Sequence, residues 1–129
     1  VVAADPRTDL ANPNVIRASL GTIFARPVVA ASSPDTLAWL RASGLTVVAA
    51  RVDGAIDYAD QDFRGPVAIV LGAEADGLST AWRAPDVRAV RLPMLGVADS
   101  LNVSATAAVL FYEARRQRSR AAATRREAP

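Results

Sequence analysis

The sequence predicts an α/β domain built on a mainly parallel sheet. Three observations carry this: short β-type runs alternate with helix-like segments, each helix start has a capping signature, and one strand is continuously apolar. The 129 residues suffice for one core and are too few for two. Hydrophobic residues make up 51% and charged residues 22%, a globular balance rather than a disordered one.

Val1–Ala4 reads as a strand, and Asn12-Pro13 as an N-cap with proline at the first helical position, opening a helix to about Leu20. Val28–Ala31 is a short β-type run. Ser33-Pro34 repeats the cap signature and opens a helix carrying Leu37, Trp39 and Leu40, which Gly44 ends. Leu45–Arg51 is a strand, and Asp53–Gly65 a polar loop with one short turn. Pro66–Leu71 reads as a fully buried strand. A glycine-bounded loop, Gly72–Leu78, leads to a short helix near Ser79–Arg83. Val87–Leu92 is another strand, Pro93–Asp99 a loop, and Ser100 to about Arg120 one long helix followed by a loose tail. In that helix Ser104, Ala105, Ala107 and Ala108 form a small-residue inner face beside the large Val103, Leu110 and Phe111, which suits close packing; helix propensity alone would also favour the alanines.

Composition removes several kinds of chemistry. With no cysteine there are no disulfides or thiolate metal sites, and with no histidine the commonest general base is absent. No metal site is expected, and Asp53, Asp57 and Asp60 read as plain loop carboxylates. The N-terminus lacks a signal peptide's basic region, and no apolar run approaches the roughly 18 residues of a membrane span, so a cytoplasmic protein is expected. All 15 basic residues are arginine, and six of them fall in the last fifteen positions. Such a cluster suits a phosphate backbone, while a solvated tail of biased composition explains it equally well.

Ligands of open α/β sheets bind beyond the carboxyl ends of the strands. Two loops leave such ends here, Leu71-Gly72-Ala73-Glu74-Ala75-Asp76-Gly77-Leu78-Ser79 and Leu92-Pro93-Met94-Leu95-Gly96, the second running on into Ser100-Leu101-Asn102-Val103-Ser104. Glycines 72, 77 and 96 let the backbone turn and offer its polar groups to a ligand, with Gly96 read chiefly as a turn. Leu71, Leu92, Met94 and Leu101 supply apolar walls suited to a flat, adenine-sized group. Neither a P-loop lysine motif nor G-x-G-x-x-G is present, which argues against a nucleoside triphosphate or a dinucleotide.

The stretch Ile69–Ser79 resembles the LGxExxGLS motif of the SpoU family of SPOUT methyltransferases. Val90–Gly96 followed by Ser100–Ala105 is similar to the family's IPMxG…SLNVSxA motif, and Asn12–Phe24 to its RxSxGxxF segment. Tyr112–Arg118 resembles the family's last helix. The resemblance implies a SPOUT-type trefoil-knotted parallel sheet flanked by helices, with residues 1–120 as the methyltransferase domain and 121–129 as an Arg/Ala-rich tail. It implies an S-adenosylmethionine site at Leu71, Gly72, Gly77, Leu92, Met94, Leu101 and Asn102, with Glu74, Ser100 and Asn102 in catalytic roles. Ser100 and Asn102 also stand where a helix cap is wanted.

The implied reaction is methyl transfer to a ribose 2′-hydroxyl of rRNA or tRNA. Arg17, Ser19, Arg116 and Arg118 are the candidate RNA contacts, and a homodimer through the knot region is implied. For Arg17 and Ser19 a surface salt bridge is the competing reading. The family's N-x-G-x-x-x-R motif has no counterpart, because Val1–Ala4 corresponds to a later strand. The resemblance thus places the first strand, the first helix and a catalytic arginine outside these 129 residues. A SPOUT-like module that binds cofactor or RNA without transfer is the alternative, and a generic α/β nucleotide-binding domain a further one.

Overall fold

The computed structural model describes residues 1–73, 77–96 and 99–127, with side chains to residue 124. It comprises two compact units, Val1–Trp39 and Leu40–Pro129, the division falling within a helix. Among the described residues no helix is long and apolar enough to cross a membrane.

In the first unit, β1 (Val2–Ala4) pairs in parallel with β2 (Val29–Ala31), Val2 opposite Val29 and Ala4 opposite Ala31. Between them lies α1 (Pro13–Ala18), capped as expected: the Asn12 side chain accepts from the Asn14 amide at 2.9 Å. It ends at Ala18 rather than near Leu20, because Leu20 and Gly21 both adopt positive φ and turn the chain out of the helix. Helix α2 (Ser33–Ala42) starts one residue earlier than the Ser33-Pro34 signature suggested. Ser32 is the cap: its Oγ accepts from the Asp35 amide at 3.1 Å and donates to the Asp35 carboxylate at 2.6 Å.

The second unit holds a four-stranded sheet in the order β4-β6-β3-β5, parallel throughout, as the sequence predicted. Its strands are β3 (Thr46–Ala50), β4 (Ile56–Asp57), β5 (Val67–Val70) and β6 (Arg88–Arg91). Strand β4 falls in the segment expected to be loop; two residues are too few to show alternation. All four residues of β5 are only half-buried, not fully buried as expected, because it has one hydrogen-bonded neighbour and lies at an edge. The segment expected as a helix near Ser79–Arg83 is a single 3-10 turn, Thr80–Arg83.

The core lies between this sheet and α3 (Val103–Glu127). Val48, Val90, Phe63 and Leu110 are fully buried, and Ala114, one turn beyond Leu110, joins them. Ala50, Ile56, Val67, Ile69, Leu71 and Leu92 pack around that cluster. Val47 and Ala49, which alternate to the opposite face of β3, are buried too, so the central strand is covered on both sides. Each fully buried aliphatic contributes about 1.5–3 kcal/mol relative to exposure.

Two expectations for α3 fail. Ser104, Ala105 and Ala108 are exposed and Phe111 is 57% exposed, so the small residues do not form the inner face; Leu110 and Ala114 do. The helix also continues to Glu127 where a loose tail was expected after Arg120, since alanine and arginine favour helix and neither glycine nor proline intervenes.

Candidate functional site

Because β3, β5 and β6 run parallel, their carboxyl ends share one end of the sheet. The loops that leave them, Arg51–Asp53, Leu71–Ala73 and Leu92–Gly96, meet the amino end of α3 and enclose a cleft of about 1040 Å³. This is the location the parallel topology dictates for a ligand, and its size is at the top of the roughly 300–1,000 Å³ of small-molecule pockets.

Leu71, Gly72, Gly77, Leu92, Met94, Ser100, Leu101 and Asn102 all line the cleft, so the structure brings these expected site residues together. Leu71, Leu92 and Met94 are half-buried walls, while Leu101 is 41% exposed at the opening. A Cβ on Gly72 would lie 2.7 Å from the Gly77 carbonyl carbon, so only glycine lets the two backbones approach this closely. The Ala73 and Gly77 peptides then exchange hydrogen bonds of 3.2 and 2.9 Å, fastening the loop to itself. Glu74, the expected catalytic carboxylate, lies outside the described residues.

On the other wall, the Asn102 side chain accepts from the Ser104 amide at 2.8 Å and its carbonyl accepts from Thr106 at 2.9 Å. Asn102 therefore caps α3, and the helix begins at Val103 rather than at Ser100. Ser100 is exposed on the cleft lining just ahead of that cap. Met94, Leu95 and Gly96 make no backbone hydrogen bond to any other described residue. Apolar walls beside backbone polar groups are a lining suited to a small flat ligand with a polar edge.

The cleft also carries residues that sequence reasoning missed. Asp53, read as a plain loop carboxylate, lines it and accepts from Arg51 Nε at 2.8 Å, Arg51 Nη2 at 2.6 Å and Arg83 Nη1 at 3.0 Å. The Arg51 guanidinium, and after it that of Arg83, holds the Asp53 carboxyl well below the usual carboxylate range. Arg91 completes the lining. Arg51 and Arg91 follow or end strands whose carboxyl ends converge; that position was the signal available in the sequence.

The other expected contacts lie elsewhere. Arg116 makes a two-bond pair with Glu113 at 2.7 and 2.6 Å, one turn back on α3. Arg118 donates to the carbonyls of Phe63 at 3.0 Å and Gly65 at 2.9 Å, and Gln117 bonds both Gln61 O and the Phe63 amide at 2.9 Å. In the first unit, the Ser19 hydroxyl donates to Ile16 O at 2.8 Å and Arg17 is exposed in the last turn of α1. Among the described residues no three carboxylates gather as a metal site would require.

The model of the SpoU rRNA Methylase family matches residues 1–112. The chain is 37% identical over 124 residues to the 23S rRNA (uridine(2479)-2′-O)-methyltransferase of Streptomyces viridochromogenes, covering 92% of this chain and 43% of that protein. It is 35% identical over 94 residues to the tRNA (guanosine(18)-2′-O)-methyltransferase of Escherichia coli K12, covering 72% of this chain and 41% of the relative. Among solved structures, an RNA 2′-O ribose methyltransferase superposes with a TM-score of 0.81 at 44% identity, over 92% of this chain and 45% of that one. The AdoMet complex of the SpoU methyltransferase AviRb from Streptomyces viridochromogenes superposes at 0.79 with 36% identity, over 91% and 46%. The chain thus spans less than half the length of each of these relatives.

Proposed function

Because this chain belongs to the SpoU rRNA methylase family, we propose that its cleft holds S-adenosylmethionine for methyl transfer to a ribose 2′-hydroxyl of rRNA or tRNA. The observation that carries this reading is the convergence of both motif loops and the capped start of α3 on one cleft. Leu71, Leu92, Met94 and Leu101 would pack on the cofactor, the Leu92–Gly96 and Gly72–Gly77 backbones would bond its polar edge, and Asn102 would hold the wall against which it rests. Bound there, the cofactor supplies an activated methyl group on a sulfonium.

The residues of this chain supply position and charge. A ribose hydroxyl is a poor nucleophile at neutral pH, so alignment and proton removal carry most of the acceleration. Glu74, Ser100 and Asn102 are the motif side chains assigned to that work. Asp53 suits it poorly, because two guanidiniums keep it ionised and weakly basic. The 2′-hydroxyl also lets the site tell RNA from DNA.

Arg17, Ser19, Arg116 and Arg118 remain the proposed RNA contacts outside the cleft, with Arg116 and Arg118 drawing on donors beyond those used inside the fold. The family resemblance further supports the trefoil threading of α3, residues 1–120 as the methyltransferase domain, and a cytoplasmic location where RNA is modified. A homodimer through α3 fits the stripe of exposed Ser104, Ala105, Ala108, Phe111 and Tyr112, which leaves two aromatic rings on a helix surface.

Calorimetry of this chain with S-adenosylmethionine tests the reading. Saturable binding is expected, weakened by Leu101→Arg; no binding overturns it. Binding without transfer of labelled methyl to cellular RNA by the protein that carries this chain would leave a non-catalytic binding module.

A further inference from the structure

A guanidinium cluster shares the cleft with the residues assigned above to the cofactor. Arg51, Arg83 and Arg91 line the cleft, with Asp53 and Asp99 the carboxylates among its described lining residues. The arrangement is built into the fold. The Arg51 amide donates to Val90 O at 2.8 Å and the Gly54 amide to Arg51 O at 3.1 Å, closing a turn on β6. A Cβ at Gly54 would lie 2.5 Å from the Val90 carbonyl carbon and 2.8 Å from the Arg91 nitrogen, so the turn is seated against the start of the Leu92 loop with no slack. Asp53, carried on that turn, grips Arg51 with two bonds and reaches Arg83 with a third.

Stability does not account for the Arg83 arm of this cluster. Asp53 is 49% and Arg83 56% exposed, and ion pairs so open to water contribute little to folding. The bond to Asp53 uses one of the five N–H donors of Arg83. Among the described residues the Arg91 side chain has no hydrogen-bond or ion-pair partner. What is left is a pair of forked cations at the mouth of a cleft larger than one nucleoside-sized ligand needs, and a guanidinium fork matches the oxygens of a phosphate.

We propose that Arg83 and Arg91, with the Arg51–Asp53 pair as their brace, receive a backbone phosphate of the RNA strand whose ribose enters the cleft. The inference rests on the RNA-substrate reading above and adds to it a rim contact that sets where the strand lies. A phosphate contact carries no base identity, so this rim positions the strand and leaves sequence choice to other contacts.

The test is fluorescence anisotropy of a labelled single-stranded RNA against this chain over a series of salt concentrations, with calorimetry of S-adenosylmethionine alongside. Arg83→Gln and Arg91→Gln are exposed changes, and circular dichroism checks that both variants fold. Combined, they are expected to weaken RNA binding by about tenfold and to lower the slope of log K against log salt by about 0.7, the value for one phosphate contact on a single strand. Cofactor affinity should not change. An unaltered slope overturns the proposal, as does a chain that binds no RNA. Loss of cofactor affinity with the slope kept also overturns it, because the anion received is then the cofactor's carboxylate. If RNA binds with the expected slopes but S-adenosylmethionine does not bind, the rim contact stands and the methyltransferase reading falls.

Discussion

Along its middle, α3 buries Leu110 and Ala114 in the core and ties Gln117 and Arg118 to the 61–65 segment through four hydrogen bonds. At its amino end the same helix leaves Ser104, Ala105 and Ala108 exposed and starts from a side-chain cap at Asn102. The middle is an anchor and the amino end is a wall of the cleft. The contrast teaches how a single helix serves both purposes. Apolar burial and hydrogen bonds to the 61–65 segment fix the axis, and the amino end brings the Asn102 cap, Val103 and Thr106 to the cleft.

Substitutions that act on one region only would sharpen this contrast, and the largest effect is expected at the anchor. Leu110→Ala should cost about 2–5 kcal/mol in chemical denaturation, since a fully buried side chain is removed from a packed cluster. A cost as small as that of a surface change would mean that the helix is not held there. Gln117→Ala comes next, at about 1–3 kcal/mol, because it strands the amide of the fully buried Phe63 without its acceptor. Neither change should alter S-adenosylmethionine affinity measured at temperatures where the variant is folded.

At the cleft end the balance reverses. Asn102→Ala should cost only about 1 kcal/mol of stability, the usual loss of a cap, yet weaken cofactor binding clearly. Equal cofactor affinity in the variant would break the assignment of this end to the site.

The smallest effect concerns pH. The Arg116 guanidinium, and then the Gln117 amide, draw the Glu113 carboxyl down to about 2 from an ordinary 4.5. A depressed folded-state value adds stability above the ordinary pKa, and that stability is lost as pH falls from about 4.5 towards 2. Glu113→Gln should therefore lower the melting temperature modestly at neutral pH and flatten part of its acid-side decline in that window. A decline of undiminished steepness would show that Glu113 is not coupled to folding.

Local chemistry made much of this legible from the sequence alone. The alternation of apolar runs and caps determined the α/β class and the parallel sheet, because patterning and capping act within a few residues. The motif loops were readable as a ligand site because glycines and apolar residues at strand ends have few other uses. Other features depended on which backbones meet in space. Asp53 joins the cleft only because the Arg51–Gly54 turn closes on β6, and β4 exists only because Ile56 and Asp57 find Val90 and Arg91 as partners. Which face of α3 is buried was likewise settled by its seat on the sheet, since the helix carries apolar residues on more than one side and composition cannot rank them. Local sequence determined the elements and the motif loops; tertiary contact decided the buried face of α3 and the cationic rim, because both depend on residues distant in the chain.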